Sequence, residues 1–330
     1  DGRHGTLSDA LRSLRSSCHF IMIPMLRQSL AVVLLAVAFP LASLHAQTAP
    51  VRLSVSSDGH PLTLWSRAAP NATGVIVLLH GRTWSALPDF DLQVPGERLS
   101  VMQALVARGY TTYALDARGY GATARDGTGW LTPNRAAADV QAVLRDVARR
   151  HPRLPKPTLV GWSYGSMVAH LALQQQPSLA ANVVLFGYPR GDTEMRMAVT
   201  PDTGAPPRET NTAKNAASDF IVPGTISQRA IDAYVVAALK ADPVRSDWRA
   251  LHEWNALSAP ALTVPTLLLH GEKDPYTPIP AQAKTFTQLG SPDRRWIILA
   301  GGDHAALLEN TLPAFIAAIT NFIERPVVRR

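Results

Sequence analysis

The sequence predicts an α/β protein with a mostly parallel, doubly wound sheet into which a helical cap is inserted. Short apolar runs alternate with stretches of helical periodicity from residue 74 to residue 186, and again after residue 264. This alternation is typical of βαβ units, whose strands run parallel and whose helices cover both faces of the sheet. The rhythm breaks between Tyr188 and Pro260, where the cap is expected.

The length and composition allow one large domain with an insertion. The chain has 330 residues, of which 46% are hydrophobic and 17% are charged. Such a composition supports a sizeable core and excludes extensive disorder. The formal net charge is +7, but the basic residues are dispersed and form no stretch interleaved with aromatic residues. We therefore attribute the charge to solubility and predict no nucleic-acid binding.

An antiparallel hairpin is expected at the start of the core. Residues 51–55 and 62–65 alternate apolar and polar side chains on either side of Asp58-Gly59. An Asp-Gly pair between two such runs is typical of a tight hairpin turn. The next apolar run, at residues 74–79, predicts a buried strand that leads into His80-Gly81.

Helices and a further strand follow this first buried strand. Residues 97–108 predict a helix that ends at Gly109, and residues 111–115 predict a strand that ends at Asp116. A second helix is predicted for residues 135–150, because apolar side chains recur there at helical spacing. The apolar stripe consists of Ala136, Val140, Val143, Leu144 and Val147.

The pentapeptide Gly161-Trp162-Ser163-Tyr164-Gly165 is the most informative motif. It follows the apolar run 158–160 and precedes the helix-like stretch 166–173. Gly-x-Ser-x-Gly in this context forms a sharp turn, and its small residues let the strand and the helix approach each other. The serine hydroxyl is then exposed at the helix N-terminus, where developing negative charge is favoured. Ser163 is therefore a candidate nucleophile; the alternative is a glycine-rich turn of another α/β protein.

Two further strand ends carry the groups that a serine nucleophile needs. Residues 265–270 predict a buried strand followed by Asp274, and residues 295–300 predict another followed by His304. The carboxyl ends of parallel strands meet at one edge of the sheet. We therefore predict that His304 is the base and that Asp274 orients it. Asp192, which follows the strand expected before the cap, is a second candidate for the acid.

Backbone N–H groups near the serine are expected to stabilise an oxyanion. One donor is the N–H of Tyr164, directly after the serine, and the other is the N–H of Arg82 in the loop after the first buried strand. The N–H of Thr83 is the neighbouring alternative to that of Arg82. Trp84 and Phe90, a few residues further on, are predicted to line the acyl pocket.

The chain resembles the α/β-hydrolase family, in its serine-nucleophile branch that carries a cap. The motifs that match span most of the chain after residue 70: His80-Gly81 with Arg82, residues 116–121, 161–165, 271–274 and 302–304. The resemblance implies the α/β-hydrolase fold and a Ser163-Asp274-His304 triad. It does not specify the substrate, because esterases, peptidases, lactonases and cofactor-free haloperoxidase-like enzymes share these motifs. The loop reads His-Gly-Arg-Thr, which differs from the His-Gly-Gly-Pro of proline iminopeptidases and the His-Gly-Gly-Gly of the hormone-sensitive-lipase-like group.

Together these residues predict a serine hydrolase that cleaves carboxylic esters through an acyl-enzyme. An aminopeptidase, amidase or lactonase with the same triad stays open, as does a non-catalytic binding protein on this fold. A small-molecule ester is the expected partner, and the sequence leaves the oligomeric state open. The ten histidines show no metal-ligand pattern, so we expect neither a metal nor another cofactor.

The cap is expected at residues 188–260. Residues 200–212 are rich in Pro, Gly and Thr, and two helical stretches follow, at about 225–241 and 243–257. The predicted organisation of the chain is therefore an upstream extension with a signal peptide at 1–46, a core at 47–187 and 261–330, and this cap.

The N-terminal segment predicts export of the protein. Residues 25–29 give a basic start, and residues 30–42 form an apolar run that is too short to span a membrane. This pattern is typical of a signal peptide at about 25–46, cleaved after Ala46; the alternative is a helix lying on a membrane surface. We expect a periplasmic or secreted protein without a stable membrane span after cleavage. The only cysteine, Cys18, precedes the cleavage site, so no disulfide is expected in the mature chain.

Overall fold

The computed structural model describes residues 49–189, 196–199 and 204–326, which belong to one compact unit. The predicted signal peptide at 25–46, Cys18 and Asp192 lie outside the described residues. Among the described helices, none is both long enough and apolar enough to cross a membrane.

A predominantly parallel sheet of eight strands forms the centre of the described part of the chain. In chain order the strands are β1 (Val51–Ser57), β2 (His60–Arg67), β3 (Gly74–Leu79), β4 (Tyr110–Asp116), β5 (Trp130–Leu131), β6 (Thr158–Trp162), β7 (Asn182–Phe186), β8 (Asp247–Trp248), β9 (Thr266–Gly271) and β10 (Arg294–Leu299). The spatial order is β1-β2-β4-β3-β6-β7-β9-β10, and β5 pairs with β8 in a separate two-stranded sheet. Only β2 is antiparallel to its neighbours in the large sheet; every other pair is parallel.

Helices cover both faces of this sheet. They are α1 (Ala86–Phe90), α2 (Val101–Val106), α3 (Pro133–Arg150), α4 (Tyr164–Gln175), α5 (Ala213–Ala217), α6 (Gln228–Ala241), α7 (Ile279–Gln288) and α8 (Leu312–Ile323). Side chains of α3 and α4 form one buried apolar cluster with the sheet, and side chains of α1, α2 and α8 form a second cluster on the other face. The doubly wound α/β fold predicted from the sequence is therefore confirmed.

Most predicted strands agree with the structure to within two residues, and local capping explains one helix that is shorter than predicted. Residues 97–108 were expected to be helical, but α2 begins only after Ser100. The hydroxyl of Ser100 accepts a hydrogen bond from the N–H of Gln103 (3.0 Å) and so caps the helix at that point. Gly96, with a φ of 81°, has a left-handed backbone conformation four residues before Ser100, which is not compatible with a helix at that point.

The second helix predicted in the cap, at about 243–257, is wrong. Strand β8 lies there instead, and a 3₁₀ turn at Leu251–Ala256 follows it. Strand β8 pairs with β5, and Ala250 between strand and turn has a φ of 52°, which an α-helix does not allow. Pairing with a distant strand has overridden the local helical pattern.

Close packing at the turn between β6 and α4 requires two glycines. A Cβ on Gly161 would lie 2.3 Å from the carbonyl oxygen of Gly165, and a Cβ on Gly165 would lie 2.5 Å from the carbonyl oxygens of His80 and Leu79. Ser163 between them has a φ of 54° and a ψ of −120°. A non-glycine residue in such a conformation costs about 1–3 kcal/mol, which the surrounding packing must offset.

Two buried carboxylates connect the loops that follow β3 and β4. Asp116 accepts hydrogen bonds from the N–H of Ala86 (3.0 Å), the N–H of Ala122 (2.9 Å) and the indole of Trp65 (2.8 Å). Burial raises the pKa of Asp116 to about 6. The second carboxylate, Asp242 at the end of α6, accepts bonds from the N–H groups of two loop residues at 2.8 Å each, and so connects the end of α6 to these loops. These two residues are Ser85 and Gly121.

The substitution Gly165→Ala tests the close approach at this turn. We expect it to lower the free energy of unfolding by at least about 2 kcal/mol, because the new Cβ would clash with backbone oxygens that cannot move independently. Gly127→Ala is the matched control, since a Cβ there meets no atom within 4 Å. Chemical denaturation of both variants measures the difference. Equal stability of the two variants would contradict the close packing.

The pH dependence of stability tests the burial of Asp116. Because burial raises its pKa above the ordinary value of 3.8, the folded protein binds this proton more tightly than the unfolded chain does, and stability falls as the pH rises through about 4 to 6. The stability of the wild type relative to Asp116→Asn should thus decrease by up to about 3 kcal/mol between pH 4 and pH 7. Denaturation at both pH values measures this, with the exposed Asp232→Asn as control. A constant difference would contradict the raised pKa.

Candidate active site

Ser163, Asp274 and His304 lie in turns at the carboxyl ends of three parallel strands. Ser163 joins β6 to α4, Asp274 follows β9, and His304 follows β10. The imidazole Nδ1 of His304 is 2.8 Å from Oδ2 of Asp274, and both side chains are buried. Ser163 and His304 line the same cavity, which has a volume of about 310 Å³. The structure thus brings the three predicted residues to one edge of the sheet.

The surroundings of His304 fix its orientation. Oδ1 of Asp274 accepts a hydrogen bond from the N–H of Tyr276 (2.9 Å), which leaves Oδ2 to accept the proton of Nδ1. The rings of Tyr276 and Trp162 pack against the imidazole, with centroid distances of 4.8 and 5.5 Å. In the tautomer that donates from Nδ1, the Nε2 atom carries a lone pair and can accept a proton.

The hydroxyl of Ser163 makes no hydrogen bond to His304 or to another group among the described residues. Nucleophile–base bonds are often longer in the absence of substrate and shorten when it binds. The backbone N–H of Ser163 donates to the carbonyl of Phe186 (2.9 Å), which holds the turn against β7. The serine is thus fixed through its backbone while its side chain stays available to the cavity.

The residues of the two predicted oxyanion donors line the same cavity as Ser163. Tyr164 is the first residue of α4, so its N–H has no acceptor within the helix. Arg82 belongs to the loop 81–85 between β3 and α1, which we call the oxyanion loop. Within the described residues, the backbone N–H groups of Tyr164 and Arg82 donate to no protein acceptor. Both positions are therefore open to a substrate oxygen.

Hydrogen bonds to carbonyl groups orient the oxyanion loop. Nδ1 of His80 donates to the carbonyl of Gly81 (2.8 Å), and Nε2 of the same ring accepts from the N–H of Ala117 (3.1 Å). Burial lowers the pKa of His80 to about 4, so the ring is neutral near pH 7. The carbonyl of Gly81 and the N–H of Arg82 belong to one planar peptide and point in opposite directions. His80 thereby fixes the direction of the Arg82 N–H.

A side chain from the cap segment reaches the same loop through Tyr120. The hydroxyl of Tyr120 donates to the carbonyl of Arg82, and the indole of Trp248 donates to that hydroxyl (2.8 Å). Trp248 lies on β8, within the segment expected to form the cap. The peptide that follows Arg82 is thus held by a chain of two hydrogen bonds that begins outside the core.

The cavity includes one of the two predicted pocket residues and excludes the other. Trp84 lines it, whereas Phe90 is fully buried in the apolar cluster beside α1 and does not line it, so the prediction for Phe90 is wrong. The short helix α1 turns Phe90 towards the core and its neighbour Asp89 towards the cavity. Among the lining residues that sequence reasoning missed are four with polar side chains: Asp89, Asp219, Arg245 and Tyr276.

Two of these additional residues are carboxylates whose burial raises their pKa. Asp89 accepts a hydrogen bond from the hydroxyl of Tyr234 (2.9 Å), and burial raises its pKa well above the ordinary value. Burial raises the pKa of Asp219 to about 6, while the proximity of His304 acts in the opposite direction. Asp303 holds the segment after Asp219 by accepting bonds from two backbone N–H groups, at 2.6 and 2.7 Å.

Solved structures of several hydrolases resemble this chain. An esterase from Exiguobacterium antarcticum is 17% identical, with a TM-score of 0.57, and the match covers 83% of this chain and 100% of that one. The thioesterase domain from the curacin biosynthetic pathway is 20% identical, with a TM-score of 0.58 and the same coverage. E-2-(acetamidomethylene)succinate hydrolase is 20% identical, with a TM-score of 0.57 over 84% of this chain and 100% of that one. At this level of identity the likeness establishes the fold alone.

Comparison at the level of families is more specific. No curated protein sequence matches the chain. The family described as serine aminopeptidase, S33, matches residues 70–311, which include the three strand ends that precede Ser163, Asp274 and His304. The match covers well over half of the chain, and it agrees with the order of strands and with the serine turn. The chain therefore belongs to the S33 serine aminopeptidase family and is a hydrolase with the α/β-hydrolase fold.

Proposed function

We propose that this protein hydrolyses carboxylic esters, with Ser163 as nucleophile, His304 as base and Asp274 as the acid that orients the base. The observation that carries the proposal is the 2.8 Å bond between Asp274 and His304 beside a cavity that Ser163 shares. A serine on a sharp strand–helix turn and an imidazole oriented by a carboxylate are the two parts that acyl transfer requires.

The proposed mechanism uses groups that already face the cavity. Nε2 of His304 accepts the proton of Ser163 as the serine oxygen attacks the acyl carbon. The N–H groups of Arg82 and Tyr164 stabilise the oxyanion that forms. His304 then donates its proton to the departing alkoxide, and a water molecule that it activates releases the acid from the acyl-enzyme. Asp274 keeps the required tautomer and stabilises the imidazolium.

A second candidate function is cleavage of an amide bond next to a free amine. The side chain of Asp219 supports it, because this carboxylate lines the cavity and has no hydrogen-bond donor among the described residues. The description of the family, serine aminopeptidase, agrees with this candidate. Arg82 and Arg245 line the same cavity, however, and their permanent positive charges disfavour a cationic substrate. We therefore place ester hydrolysis first; a lactone would be an internal ester cleaved by the same steps.

The first test compares p-nitrophenyl esters from acetate to palmitate with aminoacyl p-nitroanilides. We expect the esters to be hydrolysed and Ser163→Ala to lower kcat by at least about 10³-fold, because the nucleophile is lost. A fluorophosphonate should label the wild type but not this variant. Ser218→Ala, the same change at an exposed position, is the control.

The outcomes of this test are distinct. Near-normal turnover by Ser163→Ala would contradict the proposed nucleophile. Hydrolysis of the anilides alone would favour the aminopeptidase candidate. Failure of the fluorophosphonate to label Ser163, together with no hydrolysis of either substrate class, would favour a binding protein without catalytic activity.

Tyr120→Phe tests the support of the oxyanion loop. The change removes the hydrogen bond to the carbonyl of Arg82, so we expect kcat for the preferred ester to fall about tenfold with little change in KM. Loss of a whole oxyanion donor costs about 10²- to 10³-fold, and a displaced donor costs less. Tyr110→Phe is the control, because its hydroxyl binds Glu324 instead. An unchanged kcat in Tyr120→Phe would show that the loop needs no such support.

A further inference from the structure

Two arginines from different segments line the cavity beside Ser163. Arg82 comes from the oxyanion loop, and Arg245 comes from the cap segment just before β8. Both lie near the hydroxyl of Tyr120: burial raises the pKa of Tyr120, and the positive charges of the two guanidinium groups oppose that shift. Both cations thus line the cavity that Ser163 faces.

Neither guanidinium donates a hydrogen bond to an acidic side chain in the described part of the chain. Arg82 lies over the ring of Tyr164, 5.2 Å from its centroid, and its Nε is buried without an acceptor. Nε of Arg245 is also buried without an acceptor, and its Nη1 is 3.7 Å from the exposed carboxylate of Glu209. That separation is too long for a hydrogen bond.

Fully buried arginines of this fold are paired in a different way. Arg118 makes two bonds of 2.7 Å to the carboxylate of Asp139. Arg325 similarly donates hydrogen bonds of 2.9 and 2.5 Å to the carboxylate of Asp293. A buried donor without an acceptor is costly to the folded state unless a ligand supplies the missing group. The described residues supply no acceptor for the Nε atoms of Arg82 and Arg245, which points to a ligand as the missing partner.

The two carboxylates that line the cavity interact with other groups. Asp89 accepts a hydrogen bond from the hydroxyl of Tyr234, and burial raises its pKa. Asp219 interacts with His304 through their opposite charges. Among the described residues, neither carboxylate forms an ion pair with Arg82 or Arg245, so both guanidinium groups of the cavity are open to an anion.

We propose that Arg82 and Arg245 bind a carboxylate of the substrate. This inference rests on the ester hydrolysis proposed above and names its substrate class: esters that carry a free carboxylate within a few bonds of the scissile carbonyl. Guanidinium groups match the planar geometry of a carboxylate and can each donate two hydrogen bonds to it. The carboxylate belongs either to the acyl part or to the leaving group, and a cavity of about 310 Å³ is small enough for both positions to reach the arginines.

The experiment compares esters that differ only in charge. Phenyl hydrogen adipate, phenyl adipamate and phenyl 6-aminohexanoate place an anion, a neutral amide or a cation on the acyl side. Acetyl esters of 3-hydroxybenzoate, 3-hydroxybenzamide and 3-(aminomethyl)phenol place them on the leaving group. We expect kcat/KM for the anion to exceed that for the neutral amide by at least about tenfold in one of the two series. That series identifies the side that the arginines bind.

The variants Arg82→Gln and Arg245→Gln should each reduce this anion-to-neutral ratio towards one, because each removes a fork of donors. Arg245→Lys keeps the charge without the fork and should restore part of the ratio. Arg153→Gln, the same change at an exposed residue before β6, should leave the ratio unchanged. Thermal melting of each variant identifies any change that acts through folding.

Two outcomes would overturn the proposal. One is a preference for the cationic esters, which would assign recognition to Asp219. The other is an anion-to-neutral ratio of one, or a ratio that neither arginine variant alters. If no ester is hydrolysed, the proposed function fails separately, and the subsite is then tested by protection of Ser163 from fluorophosphonate. Adipate should protect the wild type more than adipamide does, and Arg245→Gln should lose the difference; equal protection would overturn the subsite.

Discussion

The close approach of α4 to β6 and β3 is the constraint on which the candidate site depends. It holds only because Gly161 and Gly165 carry no Cβ, and it places Ser163 at a φ of 54° with its hydroxyl towards the cavity. The same turn places the Tyr164 N–H at the start of a helix, where it has no acceptor. Nucleophile and oxyanion donor are thus two results of one backbone geometry, and neither can be moved without the other.

Buried carboxylates connect the loops of the candidate site to the segment 204–260, which the sequence predicts to be part of the cap. Asp242 closes α6 and accepts the N–H groups of Ser85 and Gly121, while Asp303 accepts two N–H groups from the segment that carries Asp219. Each acid is satisfied by backbone donors, so it fixes loop positions independently of nearby side chains. The segment 204–260 is therefore attached at the oxyanion loop and at the turn that carries His304, the two places where its position would affect the proposed chemistry.

Features that depend on residues close together in the sequence could be predicted from the sequence. The Gly-x-Ser-x-Gly turn and the strand ends before Asp274 and His304 follow from apolar runs and short-range sterics. Contacts between segments that are distant in the sequence could not be predicted. The pairing of β8 with β5 replaced a predicted helix, and one step along α1 decides that Asp89 rather than Phe90 reaches the cavity. A helix of five residues is too short for the helical period of 3.6 residues to predict which of two neighbouring side chains faces the cavity.

Two groups of Arg82 face the cavity: one is proposed to bind the substrate, and the other is proposed to stabilise the oxyanion. Its backbone is a candidate oxyanion donor, and its guanidinium faces the same cavity without an acceptor. A bound carboxylate that engages this side chain would also hold the oxyanion loop, so correct binding would help to align the N–H with the transition state. Arg245 lies in the segment predicted to form the cap and supplies no backbone group to the proposed reaction. Its positive charge can therefore contribute to substrate selectivity without contributing to oxyanion stabilisation, so variants of Arg245 separate substrate binding from catalysis.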